Sequence, residues 1–434
     1  MQTAWSTLRN TQSNCWQGAV ARESDLLTYN ATHKEKALNT NVKESAIQGG
    51  QIEVCPTDSA RHDASIPASC VQNHASNLMP LANGDLGCVW FGGTQEGVPD
   101  ISIYFSRQAK GTGYWTEPVK LSDDASRSEQ NPILFPAPDG TLWLLYTAQK
   151  SGNQDTAIVR YRTSKDHGHT WSEIGVLFDK PGTFVRQPVV VLDNGEWLIP
   201  IFYCITRPGE KWVGSYDVSA VCISADQGKT WTEHPVENSL GCVHMNVEKM
   251  PDGSLLALFR SRWADNIYLS RSHDNGRSWE TPVATELPNN NSSIQFTCLQ
   301  NGHLALVYNH ISAAEATERR ASLYDEIEDD EDSSTTAAAV EPGLPEGGKT
   351  AFWGTPRSPM TLAISQDGGR TWPLRRNLEV GDGYCMTNNS QMQLNREYSY
   401  PSIKQTADGK IHISYTYFRQ KIKYVQVTED WVKG

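Results

Sequence analysis

Ser164-Lys165-Asp166-His167-Gly168-His169-Thr170-Trp171 decides how this chain folds, because the pattern occurs four times. It returns as Ser224-Ala225-Asp226-Gln227-Gly228-Lys229-Thr230-Trp231 and as Ser272-His273-Asp274-Asn275-Gly276-Arg277-Ser278-Trp279. The last copy is Ser365-Gln366-Asp367-Gly368-Gly369-Arg370-Thr371-Trp372. At this spacing the aspartate accepts hydrogen bonds from the N–H groups of a tight turn, and the glycine supplies a positive φ. The tryptophan packs the turn onto the strands it joins. Strand-like runs such as 157–162 and 266–270 precede the boxes. One match carries little; four define a hairpin repeat.

Outward from the boxes lies a second repeat: an apolar strand, a glycine turn, and another apolar strand. Its first copy is Leu78-Met79-Pro80-Leu81-Ala82-Asn83-Gly84-Asp85-Leu86, and its turns recur at Gly140, Gly195, Gly253, Gly302 and Gly409. Six turns predict six blades, and so an all-β, six-bladed β-propeller. The segments entering these hairpins start near His74, Asn131, Gln187, His244, Asn291 and Tyr398. The first four are spaced 57, 56 and 57 residues apart, enough for four short strands and their loops. Too few residues follow Tyr398 for a full blade. A strand over 51–55 is therefore expected to complete it and close the ring, which removes sheet edges. Residues 1–43 have no clear period and are expected to form an arm or cap beside a single propeller of 44–434. Inside the propeller, 313–349 carries an acidic run at 325–332 and a Ser/Thr/Ala/Pro/Gly-rich tail. That composition reads as a solvated, disordered insertion, with a lid over the pocket as the alternative.

The formal net charge of −12 argues against a nucleic-acid backbone as the main partner, but leaves room for a local cationic pocket and an anionic substrate. No stretch approaches the roughly 20 apolar residues of a membrane helix, so no membrane insertion is expected. Residues 1–18 lack a basic segment followed by an apolar run, so no secretory signal is visible. The default compartment is the cytoplasm, or the exterior if the N-terminus is incomplete. The nine cysteines are scattered, with no CxxC pair and no zinc-like spacing, and read as buried free thiols. No metal or cofactor motif is present.

Innermost strands of propeller blades start at the central funnel, where side chains distant in sequence meet. The positions there are polar: His74, Asn131, Arg186 and Gln187, His244 and Asn246, Asn291, and Tyr398. They are the candidate substrate-binding and catalytic set.

The four boxes resemble the Asp-boxes (BNR repeats) of the sialidase superfamily, and the funnel residues sharpen the resemblance. Sialidases clamp a substrate carboxylate with three arginines, attack with a tyrosine paired to a glutamate, and use an aspartate as acid/base. Arg357, in Arg357-Ser358-Pro359-Met360-Thr361-Leu362-Ala363-Ile364-Ser365, is similar to the third arginine, and Arg260, after Asp252-Gly253-Ser254-Leu255, to the second. Glu397-Tyr398-Ser399-Tyr400-Pro401 is similar to the segment carrying the nucleophile, which implies that role for Tyr398. The departures are His74 where the first arginine is expected and His244 where the glutamate is expected. Glu96 aligns loosely with the acid/base. The resemblance implies an exo-glycosidase acting on a terminal carboxylated sugar, with an acidic glycan as partner. Two histidines in place of an arginine and a glutamate also fit a uronate lyase working by β-elimination. A non-catalytic glycan-binding propeller is the third reading.

Overall fold

The computed structural model describes residues 49–321 and 348–434. The expected arm at 1–43 and most of the 313–349 insertion lie outside the described residues. The rest is a ring of six antiparallel sheets around one axis. Blades one and two run Gln72–Pro80, Leu86–Gly93, Ser102–Gln108, Val119–Lys120 and Ser128–Pro136, Leu142–Lys150, Asn153–Ser164, Gly175–Phe178. Blade three opens with two short strands, Thr183–Val185 and Val190–Val191, before Trp197–Tyr203, Val218–Ser224 and Thr232–Pro235. Blade four is Cys242–Lys249, Leu255–Ser261, Asn266–Ser272 and Val283–Pro288. Blade five is Gln295–Cys298, Leu304–Asn309, Met360–Ser365 and Leu374–Glu379.

Blade six shows how the ring closes. Its strands Tyr398–Gln405, Ile411–Tyr417 and Lys421–Val427 are completed by Asp58–Ile66, whose His62 to Ile66 pair with Gln426 to Ile422. The closing strand is therefore 58–66 and not 51–55; Glu53–Cys55 adds a fifth strand outside it. Polarity hides the true closing strand in the sequence. Arg61 and Asp63 are buried, but Arg61 Nε reaches Asp63 at 2.6 Å and Arg61 Nη2 reaches Glu379 of blade five at 2.9 Å. Paired charges make a buried polar strand tolerable.

The boxes do what their spacing predicts. Asp166 accepts from the His169 and Thr170 N–H groups at 3.1 and 2.8 Å and from Thr170 Oγ1 at 2.6 Å. Asp226, Asp274 and Asp367 repeat the pattern, each in a turn between the third and outermost strands of its blade. Apolar side chains fill the seams between blades. Leu256, Leu258, Phe296, Leu304 and Leu306 form one such seam between blades four and five, and each fully buried chain of this kind contributes about 1.5–3 kcal/mol.

Polar staples supplement the seams near the axis. Asn77 accepts from Leu134 N, Thr147 from Val185 N, Asn246 from Phe296 N, Gln295 from Ile403 N, and Ser402 from Leu78 N, each bond crossing to the next blade. Among the described residues no helix is long and apolar enough to cross a membrane, and the eight described cysteines are unpaired.

Candidate active site

Nine residues before each hairpin glycine the innermost strand reaches the axis. The residues there are Ala75, Asn131, Arg186, His244, Ser293 and Tyr400. Four of them, Ala75, Asn131, His244 and Tyr400, have left-handed backbones with φ between 51° and 57°. Strand register shifts at the same four places, between His74 and Asn77, Gln130 and Ile133, Val243 and Asn246, and Ser399 and Ser402. A bulge with a positive φ re-aims the side chain it carries. In those four blades the bulge thus turns one residue toward the centre, at the cost of strain that non-glycine residues rarely bear.

This geometry corrects the sequence reading of the central tyrosine. Tyr398 packs against Tyr417 and Phe418 and donates its hydroxyl to the Val380 carbonyl at 3.1 Å. Two residues on, beyond the bulge, Tyr400 occupies the centre. Its hydroxyl accepts from Arg260 Nη1 at 2.7 Å, and His74 and His244 lie 4.3 and 5.6 Å from its ring. The guanidinium carbons of Arg357, Arg186 and Arg260 stand 5.3, 5.4 and 5.8 Å from that ring. Burial pushes the phenol pKa up, but Arg260 and then Arg357 more than offset it and hold Tyr400 below the ordinary tyrosine value. The nine-residue offset from Gly409 was the available signal for Tyr400.

Arg260 is fully buried and, among the described residues, has no carboxylate partner. Its Nε donates to Asn291 Oδ1 at 2.8 Å, its Nη1 lies 3.4 Å from His244 Nε2, and burial pushes its pKa down to about 9. A buried guanidinium without an acid keeps its charge and its planar donors uncompensated by any carboxylate among the described residues. Arg357 is partly committed: its Nη1 donates to Glu397 Oε1 at 3.1 Å, while the Nε–H has no partner among the described residues.

Glu397 anchors a network that sequence reasoning missed. Its Oε1 also accepts from Arg419 Nε at 2.7 Å, and Arg320 Nη1 stands 3.7 Å from its Oε2. Burial raises the Glu397 pKa, and Arg357, Arg419 and Arg320 overcome that to hold it well below the usual carboxylate range. Arg419 continues to Glu96 Oε2 at 2.6 Å and approaches His74 Nε2 at 3.4 Å. Its guanidinium thus lies beside the histidine that stands where a first arginine was expected. Phe418 and Arg419 form the turn of the last hairpin with φ of 56° and 54°. That conformation favours Asn-Gly, so nothing in Phe418-Arg419 announces the turn. His74 Nδ1 lies 2.8 Å from Thr416 Oγ1. Burial first, then Arg419 for His74 and Arg260 for His244, hold both imidazoles well below the ordinary histidine value, so they are neutral.

The remaining candidates divide. Asn291 orients Arg260 and donates from Nδ2 to the Phe352 carbonyl at 2.9 Å. Asn131 holds the axial position of blade two. Asn246 is a staple between blades, and Gln187 donates to the Ile294 carbonyl at 2.6 Å and accepts from Gln295 at 3.0 Å, so both serve the ring. Arg186 spends its Nη2 on three backbone carbonyls. Over the arginines runs 351–356, with the Trp353 ring 5.7 Å from Arg260 and 5.2 Å from Arg262; Arg262 is itself paired with Asp217 at 2.7 Å. Among the described residues no cluster of three His, Cys, Asp or Glu side chains could hold a metal ion.

The family profile described as a BNR repeat-like domain matches residues 84–413. The chain belongs to the BNR repeat-like family. Solved structures share the fold at low identity. The Hadza microbial sialidase Hz136 is 14% identical with a TM-score of 0.63, over 85% of this chain and 69% of that one. A Dyadobacter fermentans protein of unknown function is 16% identical with a TM-score of 0.58, over 84% and 97%. The NanB sialidase of Streptococcus pneumoniae is 10% identical with a TM-score of 0.59, over 83% and 69%. No curated protein matches. This BNR repeat-like chain therefore has the sialidase-type propeller, with its own residues at the axis.

Proposed function

We propose that this protein is a glycan-processing exo-glycosidase acting on a terminal carboxylated sugar, with Tyr400 as the attacking group. The observation that carries the reading is the phenol of Tyr400 held among arginines, with its oxygen on Arg260 and its pKa lowered. Arg260 and the Nε–H of Arg357, which among the described residues have no carboxylate and no partner respectively, would fork the sugar carboxylate. Tyr400 Oη would then bond to the anomeric carbon as the bond to the leaving oxygen breaks, its phenolic proton passing to the neutral His244 while Glu96, entering the step protonated, gives its proton to that oxygen; the water of the second step would restore both protons. Water would release the sugar from the tyrosine in a second step. Likeness to structures named as sialidases supports the reaction class.

One observation favours elimination as a second reading. The Tyr400 hydroxyl is met by an arginine, and neutral histidines, not a glutamate, flank its ring. On a uronate, the arginines would acidify the C–H beside the carboxylate, and Tyr400 or a histidine would remove that proton as the C–O bond breaks. The test offers a fluorogenic sialoside and, separately, uronate-capped polysaccharides, and follows released sugar and ultraviolet absorbance together. Sugar release without absorbance supports the glycosidase. Absorbance growth, from the conjugated product, that vanishes in Tyr400→Phe replaces it with the lyase. Glycan binding without turnover on either panel leaves a lectin-like propeller.

A further inference from the structure

Arg186 reaches across the ring to the backbone of two other blades. It starts in blade three, is 1% exposed, and among the described residues has no carboxylate partner. Its Nη2 donates to the carbonyls of Ser76 in blade one at 3.1 Å, and of Tyr400 and Pro401 in blade six at 3.1 and 3.2 Å. Its guanidinium carbon lies 5.4 Å from the Tyr400 ring centroid. Those two blade-six carbonyls belong to the bulge whose φ of 51° aims Tyr400 at the centre.

We propose that Arg186 is the positioning residue of Tyr400: it holds the strained bulge through its carbonyls and sets a fixed positive charge against the phenol ring. The inference rests on Tyr400 being the reacting group, and it explains why a cation is buried where no acid balances it. Left-handed backbone at a bulky residue is costly and persists only where the surroundings over-determine it. One donor shared among three carbonyls of two blades supplies that constraint. Burial without an acid pushes the Arg186 pKa down to about 10, still above neutral pH, so the charge remains. The other charged or titratable groups facing Tyr400 are Arg260 and His244 from blade four, Arg262 from the loop between the second and third strands of that blade, Arg357 ahead of the third strand of blade five, His74 from blade one, and Glu96 from the loop between the second and third strands of blade one. Among the charged groups of the described residues, Arg186 touches both the ring and the backbone that carries it.

The test needs no substrate. Protein labelled with 13C at tyrosine Cζ, compared with Tyr400→Phe, isolates the Tyr400 resonance and its ionisation. In Arg186→Gln, which keeps an amide donor and loses the charge, that ionisation is expected to move up, by less than Arg260→Gln moves it. In Arg186→Lys, which keeps the charge with fewer carbonyl bonds, the ionisation is expected to stay near that of the wild type while the resonance shifts. A folded Arg186→Gln protein whose Tyr400 titrates as in the wild type overturns the proposal. Where Arg186→Gln does not fold, Arg186→Lys decides: a Tyr400 resonance unchanged from the wild type overturns it. On any glycan that is turned over, kcat should fall about tenfold with KM held, since the lost interaction bears on the reacting group. Absence of turnover on every glycan sinks the proposed activity and leaves the titration result standing.

Discussion

The chain carries two repeats that behave in opposite ways. In the Asp-box turns, backbone and side chain recur together: Asp166, Asp226, Asp274 and Asp367 each accept from a Thr or Ser hydroxyl at 2.6–2.7 Å. At the axis only the position recurs. Nine residues before each hairpin glycine stand an alanine, an asparagine, an arginine, a histidine, a serine and a tyrosine. A turn that holds a blade together has one good solution and repeats it. A funnel of the proposed function needs different groups from different blades, and in four of the six blades a bulge with positive φ turns dissimilar side chains inward.

The contrast breaks most sharply at Tyr400. Tyr400→Phe should lower turnover by about 10²–10⁴-fold with the fold intact, whereas Tyr398→Phe, two residues away, should stay within about twofold. Steady-state rates and circular dichroism on the two variants read this directly, and equal losses would collapse the distinction between axis and packing. Next in size is Glu397→Gln. It leaves Arg357, Arg419 and Arg320 without their shared acid, and removing one partner of a buried charge network costs about 3–5 kcal/mol. Urea unfolding should show that loss, and a variant as stable as the wild type would mean the arginines find water instead.

The axial histidines sharpen the comparison through pH. Their folded-state pKa values lie well below 6.5, so the unfolded chain binds protons there that the native state refuses. Stability is then fully present above about pH 6.5 and lost as pH falls below it, by about 1.4 kcal/mol per pH unit for each histidine. The double variant His74→Gln, His244→Gln should flatten the slope of stability between pH 6.5 and 5.5; an unchanged slope would assign it to other groups. Below about pH 4.5, Glu397 adds a loss of the same sign, because its folded pKa is also depressed. The smallest effect belongs to the rim. Asp274→Ala removes the bonds from Ser278 N and Oγ and should cost about 1 kcal/mol without altering turnover. A fall in kcat there would tie the turn to the funnel.

How far the sequence could be read follows the same division. The boxes and glycine hairpins revealed six blades because turn chemistry is local: Asp and Gly serve the turn wherever it lies. Arg260 and Arg357 were named through the resemblance to sialidase motifs, and both guanidinium groups stand beside the Tyr400 ring. Tyr400 was displaced by two residues because a bulge reverses the alternation that a regular strand would keep. Arg419 was missed because its turn is a strained one built without glycine, stabilised by Glu397 and Glu96 from elsewhere in the chain. The closing strand was set too early because Arg61 and Asp63 look solvent-facing until Glu379 and Lys423 are in place beside them.

The pairing of Asp58–Ile66 with Lys421–Val427 carries a kinetic consequence. A ribosome releases the first of these strands long before the second exists. Five blades are assembled from neighbouring segments, so they can form in turn as the chain emerges. The sixth joins stretches more than 350 residues apart, and the entropy of closing so large a loop falls on the last step. Until then the edge of Asp58–Ile66 opposite Glu53–Cys55 waits unpaired, as does the newly made end of the ring. Those are the surfaces on which two nascent copies would exchange strands, and a charged strand bearing Arg61 and Asp63 is less prone to stick to a stranger than an apolar one.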